Sequence, residues 1–406
     1  MSIQFLAQRL RFQRVLKHLG VVVACYAFIA MGLVEASLGV LLPSILAAFQ
    51  LTTATVTLLF LSQISGYLVA ALGSSLISHR LGLGRMVLLA AGLLTATLVI
   101  YATTPMWGLM VAAGIFLGLG IGLMDAGINT YMVQDAERAN GIGALHGFYG
   151  VGALAGPALA TTLLALGLSW RQVYGMLALL VSGLVVLVLM ALGRRYPGLG
   201  RTPTEEHTSA LQSLGQALRS PMVLLTGLLL GLYVGVEAAI THWAFMVETV
   251  ARQTPTLVAG YGVSLYWLGL TVGRFGLNIL LPRVGAVRLI TLSLGLLLVG
   301  LLTWGQGLHP WFSLPLVGVA LAVIFPTVMW LIPKRVAPSQ VPAAVGFASS
   351  AASLGAAIIP SGVGWVANAW GLGVVPWLML PLAVAMLVLH VGLGRLPRPS
   401  SGEAPT

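Results

Sequence analysis

MWGLMVAAGIFLGLGIGLMDAGINTYMV, residues 106–133, carries one charged side chain, Asp125, in a run longer than the ~20 residues that cross a bilayer at about 1.5 Å rise each. Comparable runs recur along the chain and predict twelve transmembrane helices, over 20–48, 52–77, 86–103, 106–133, 141–167, 170–193, 221–248, 256–281, 287–306, 310–332, 342–368 and 372–393. Short turns near 49–51, 104–105 and 369–371 separate the closest of them. Bulk composition agrees. The chain is 58% hydrophobic and 7% charged, with a mean hydropathy of +1.00, far outside the range of soluble domains.

Charge placement sets the expected topology. Arg9, Arg11, Arg14 and Lys17 precede the first span, Arg80 and Arg85 follow the second, Arg138 follows the fourth, and Arg194, Arg195, Arg201 and Arg219 lie between the sixth and seventh. Arg283, Arg288, Lys334, Arg335, Arg395 and Arg398 continue the pattern on the same side, against Arg171 and Arg252 on the other. The positive-inside rule then puts both termini in the cytoplasm, in a plasma or bacterial inner membrane. The net charge of +11 reads as a topology signal and not as a nucleic-acid footprint, because no basic block stands on a soluble domain. The single cysteine, Cys25, excludes a disulfide framework and a cysteine metal site. The basic N-terminal stretch is followed by an apolar run too long for a signal peptide and is read as a retained first span.

Shifting the chain by 203 positions superimposes Arg80, Gly82 and Arg85 on Arg283, Gly285 and Arg288, and Gly143, Gly152 and Pro157 on Gly346, Gly355 and Pro360. Gly32, Gly66, Gly73 and Gly92 fall on Gly235, Gly269, Gly276 and Gly295. The expected fold is therefore all-α and membrane-embedded, with two pseudo-symmetric six-helix bundles: 1–193, a cytoplasmic linker over 194–220 with a short amphipathic helix at Ser209–Leu218, 221–394, and a disordered tail over 395–406. Paired bundles of this kind can rock about a midplane site, which is how secondary transporters alternate access.

Three of the nine acidic residues, Glu35, Asp125 and Glu237, stand inside apolar spans. An ionisable group at that depth costs about 2.5–3.5 kcal/mol on insertion scales unless it faces a cavity or a partner. Glu35 falls one position from Glu237 under the repeat, so the halves offer carboxylates at nearly equal depth. A carboxyl in apolar surroundings, where the charged form is disfavoured, can load and release a proton as access alternates. Asp125 and Asn129, four apart, share a helix face. Arg274 is the one cation within a span, and is expected either to reach the interface or to pair with Asp125 at similar depth. Trp243, with His242, offers a ring for stacking on a solute or an anchor at the membrane interface.

Twelve spans, the repeat and the central loop resemble the major facilitator superfamily over essentially the whole chain. Asp125-Ala-Gly-Ile-Asn129, His146-Gly-Phe148-Tyr-Gly150-Val-Gly152 and Tyr233-Val-Gly235-Val-Glu237 followed by Trp243 are similar to the fucose permease and glucose/galactose permease branch. The resemblance implies that the first and seventh spans line the central cavity, that Glu35 and Asp125, with Glu237, couple protons, and that Asn129, His146, Glu237, His242 and Trp243 surround the solute. Arg274, with Arg80 and Arg283 of the repeated loop, would form charge pairs or gates. The superfamily's G-x-x-x-D-R-x-G loop is altered, since His79 stands before Arg80 and Pro282 before Arg283 where the pattern has an acid. The expected activity is proton symport of a small polar solute such as a monosaccharide, by a monomer that takes its energy from the proton gradient and needs no cofactor or metal. Gly152-Ala-Leu-Ala-Gly156-Pro157 also fits the core of an efflux antiporter motif, which keeps drug or metabolite export as the alternative. A non-transporting sensor stays remote because no segment outside the spans is long enough to fold alone. An enzyme is excluded by the lack of a phosphate loop, zinc spacing or Ser-His-Asp set.

Overall fold

The computed structural model describes residues 3–135, 138, 141–194 and 219–396. The linker helix expected from sequence lies outside these residues, as does the expected C-terminal tail except for Arg395, which ends the last helix, and Leu396. Among the described residues the secondary structure is helical, with twelve helical segments long and apolar enough to cross a membrane. They are α1 (Ile3–Phe49), α2 (Thr53–Leu81), α3 (Leu83–Thr103), α4 (Trp107–Val133), α5 (Ile142–Ala165), α6 (Trp170–Gly193), α7 (Pro221–Met246), α8 (Thr256–Val284), α9 (Ala286–Gly305), α10 (Pro310–Ala322) with α11 (Ile324–Leu331), α12 (Val341–Trp370) and α13 (Val375–Arg395). The tenth span is split between α10 and α11 at Val323. Pro326, which has no N–H to give to the carbonyl of Ala322, accounts for the break.

Local chemistry explains the helix ends. Ser169 and Gln172 form a reciprocal capping box at the start of α6. Gly82 and Gly285, matched by the 203-residue repeat, have the same left-handed φ of 82° and turn the chain from α2 into α3 and from α8 into α9. Glycine takes that conformation without steric penalty, which is why the repeat keeps it in both copies.

The chain forms two compact units, residues 1–50 with 58–204, and residues 51–57 with 205–406. In the first, α1 packs on α5 and α6, and α3 on α4 and α6; in the second, α7 packs on α12 and α13, and α9 on α10 and α13. These are equivalent pairs under the repeat. Matched glycines share their surroundings as well. A Cβ on Gly152 would run into the carbonyl of Ile29 in α1, and one on Gly355 into the carbonyl of Gly231 in α7, whereas Gly92 and Gly295 both face open space. Small residues at the first kind of site let backbones meet, and tight packing replaces the hydrophobic drive that helices lack in lipid. Gly156 likewise lies against the carbonyl of Leu33, so the Gly152 and Gly156 of the antiporter-like motif serve the α1–α5 contact.

Candidate functional site

Unit one gathers its polar groups around two acids. Glu35, on α1, accepts a hydrogen bond at Oε2 from the Tyr149 hydroxyl of α5 at 3.1 Å. Asp125, on α4, accepts at Oδ2 from the Tyr67 hydroxyl of α2 at 3.2 Å and at Oδ1 from Asn129 Nδ2 at 2.8 Å. Asn129 also donates to the main-chain carbonyl of Asp125 at 3.0 Å, as the four-residue helical spacing allows. His146 of α5 lies within electrostatic reach of Asp125 and sets its ring edge-on to Phe28 of α1, with centroids 5.3 Å apart. Tyr67 lies within reach of Glu35 as well as Asp125. The structure therefore joins Glu35, Asp125, Asn129 and His146 in one set, and adds two tyrosines.

Unit two is built differently. Glu237, on α7, receives the hydroxyl of Tyr233 one helical turn earlier and faces Arg274 Nη2 of α8 at 3.6 Å. Its main-chain carbonyl is held by Thr241 Oγ1 at 2.8 Å and by the Tyr266 hydroxyl at 3.4 Å. The ring of Tyr233 packs on Phe325 of α11, with centroids 5.9 Å apart. Arg274 is therefore set against the acid of its own bundle, where the sequence had suggested Asp125. Depth alone does not distinguish the two acids, and the α7–α8 neighbourhood does.

Trp243 is a correction. Its ring is completely buried, its indole N–H goes to the carbonyl of Pro360 on α12 at 2.9 Å, and Gly364 passes close to its edge. It is a packing residue of the α7–α12 contact, neither an interface anchor nor an exposed stacking platform. His242 is half-buried beside it on α7. Arg80 and Arg283 lie exposed in the last turns of α2 and α8, where a cation complements the helix dipole; no ion pair is seen for either among the described residues. Among the described residues no group of three or more His, Cys, Asp and Glu could hold a metal ion.

Sequence reasoning missed Tyr67 and Glu248 entirely, and quoted Tyr149 and Tyr233 without a role. The i, i+4 spacing of Tyr233 and Glu237 was a usable signal. Nothing local marks Tyr67 or Tyr149, which meet their acids from positions 58 and 114 residues away. Glu248 sits in a π-helical turn, Val247–Ala251, that extends α7 beyond the end read from hydropathy. It is 1% exposed and bound to Arg252.

Comparisons with known proteins agree with this architecture. The family model described as Major Facilitator Superfamily matches residues 24–314. A Saccharomyces cerevisiae (strain ATCC 204508 / S288c) protein called Bypass of stop codon protein 6 is 27% identical over 404 residues, covering 89% of this chain and 80% of the relative. The Glucose/mannose transporter GlcP of Bacillus subtilis (strain 168) is 24% identical over 376 residues, covering 91% and 93%. Among solved structures, the nucleoside transporter NupG superimposes with a TM-score of 0.76 at 14% identity, covering 93% of this chain and 100% of that one. A D-xylose-proton symporter superimposes with a TM-score of 0.72 at 16% identity, covering 93% and 97%. Likeness at these identities speaks for the fold alone.

Proposed function

The chain belongs to the major facilitator superfamily and is a multi-pass membrane transporter, not an enzyme; from that premise we propose that it takes up a small polar solute, a monosaccharide, together with a proton. The observation that carries this reading is the makeup of unit one. Among the described residues of α1–α6, every Lys and Arg of a spanning segment lies in a first or last turn, so the basic group beside Asp125 within the bundle is the imidazole of His146. Their partners include tyrosine hydroxyls, an amide and an imidazole. A carboxyl in such a set can be ionised when water reaches it and neutral when the site closes, because burying the bare charge would cost several kcal/mol. The proton and the solute thus share one conformational cycle.

Glu237 has a different place in this reading. Taking a proton would break its pair with Arg274, so it serves the solute, with Asn129, His146 and His242, and Glu35 and Asp125 carry the proton. The monosaccharide follows from the likeness to a glucose/mannose transporter, and the import direction from the coupling. The arginine and lysine distribution supports cytoplasmic termini, and uptake by the cell goes with a plasma-membrane location.

The test is purified protein in liposomes loaded with a pH dye. Addition of D-glucose should move protons in the direction of the sugar, and Glu35→Gln and Asp125→Asn should each abolish that movement. Proton movement opposite to an added lipophilic cation, with silence toward every sugar, would overturn symport in favour of export.

A further inference from the structure

Charge is distributed unequally between the two units. Among the described residues of unit two, both carboxylates within the spans are matched by a guanidinium, Glu237 by Arg274 and Glu248 by Arg252. The second pair closes to 2.6 Å around a carboxylate that is 1% exposed. The first stays open: Arg274 Nη2 and Glu237 Oε2 are 3.6 Å apart, beyond hydrogen-bond length, and their side chains are 30% and 15% exposed. Accessible charges at that depth are costly against hydrocarbon, which favours an aqueous path on the exposed side of this pair. The hydroxyl of Tyr233 holds the carboxylate and lies close to Arg274, while Tyr266 and Thr241 fix the backbone beneath it.

We propose that the open Glu237–Arg274 pair is a solute-binding element that selects uncharged, polyhydroxylated solutes. A carboxylate accepts and a guanidinium donates, and adjacent sugar hydroxyls supply the complementary donor and acceptor across such a gap. The pair carries no net charge. A cationic solute meets Arg274 and an anionic one meets Glu237, and each brings a charge that the element does not balance. The inference rests on the carrier reading above but names what its solute must look like. Arg274 becomes a specificity residue.

The experiment uses the full chain in liposomes at mildly acid pH, with uptake of D-glucose, D-glucosamine and D-glucuronate measured separately. Wild type should prefer glucose over both charged sugars by about tenfold or more. Arg274→Gln should raise the glucosamine-to-glucose ratio about tenfold, and Glu237→Gln should do the same for glucuronate. Ratios within twofold of wild type in both variants would overturn the proposal. So would a wild type that takes the three sugars equally or none of them, a result that does not depend on how the variants fold. Glucose uptake without proton movement, with the charge preference intact, would overturn the coupling and leave this selectivity standing.

Discussion

Replacing Arg252 by methionine removes the cation from a carboxylate that water hardly reaches. Glu248 Oε1 receives Arg252 Nη1 at 2.6 Å and the Trp304 indole N–H at 2.9 Å, and Oε2 receives Thr254 Oγ1 at 3.1 Å. Arg252 also donates to the carbonyls of Trp304 and Gly305 at the end of α9. Breaking a buried pair from one side costs about 3–5 kcal/mol, because the other charge stays buried. Arg252 is 20% exposed, so the lower end applies, about 3 kcal/mol. At about 2–4 °C per kcal/mol for a unit of this size, the unfolding midpoint should fall by roughly 6–12 °C. Thermal unfolding of the purified protein in detergent, followed by tryptophan fluorescence, reads this directly. The double variant Arg252→Met with Glu248→Gln should recover most of the loss, since Gln keeps an acceptor for Trp304 and carries no charge. An unchanged midpoint in the single variant, or an equal loss in single and double variants, would refute the argument.

Three further outcomes follow from the same geometry. Tyr149→Phe should lower proton-driven accumulation about two- to tenfold while glucose exchange across the liposome holds, because one hydrogen bond to Glu35 is lost and the solute groups are untouched; equal loss in both assays would reject the link to coupling. Gly152→Val should abolish monodisperse expression, since its side chain meets the Ile29 backbone, whereas Gly92→Ala, in open space, should be neutral or stabilising by up to about 1 kcal/mol in thermal unfolding. Trp243→Phe should cost about 1 kcal/mol of stability through its lost bond to Pro360 and leave glucose affinity unchanged; weaker binding at full stability would restore its stacking role.

The spans were legible because hydropathy is a local property: a run of apolar residues must cross lipid as a helix wherever it later packs. Expected span edges such as 170–193 coincide with α6, and those of α7 differ because the π-helical turn at Val247–Ala251 continues the helix through Glu248. The repeat was legible for the same reason, and Gly82 and Gly285 share one φ because each copy needs the same turn. The acids could be picked out by their cost at that depth. Their partners could not.

By itself, the sequence determined twelve apolar helices, a duplicated half, a charge bias across the membrane and three acids that need a reason to be buried. Those statements depend on residue type, run length and spacing along the chain. Only the tertiary structure decided that Tyr149 reaches Glu35, that Tyr67 reaches Asp125, that Arg274 belongs to Glu237, and that the Trp243 ring is consumed by packing on α12. Each depends on how separate helices are rotated toward one another. That rotation is set by close contacts such as Gly152 on Ile29 and Gly355 on Gly231, which no single span contains.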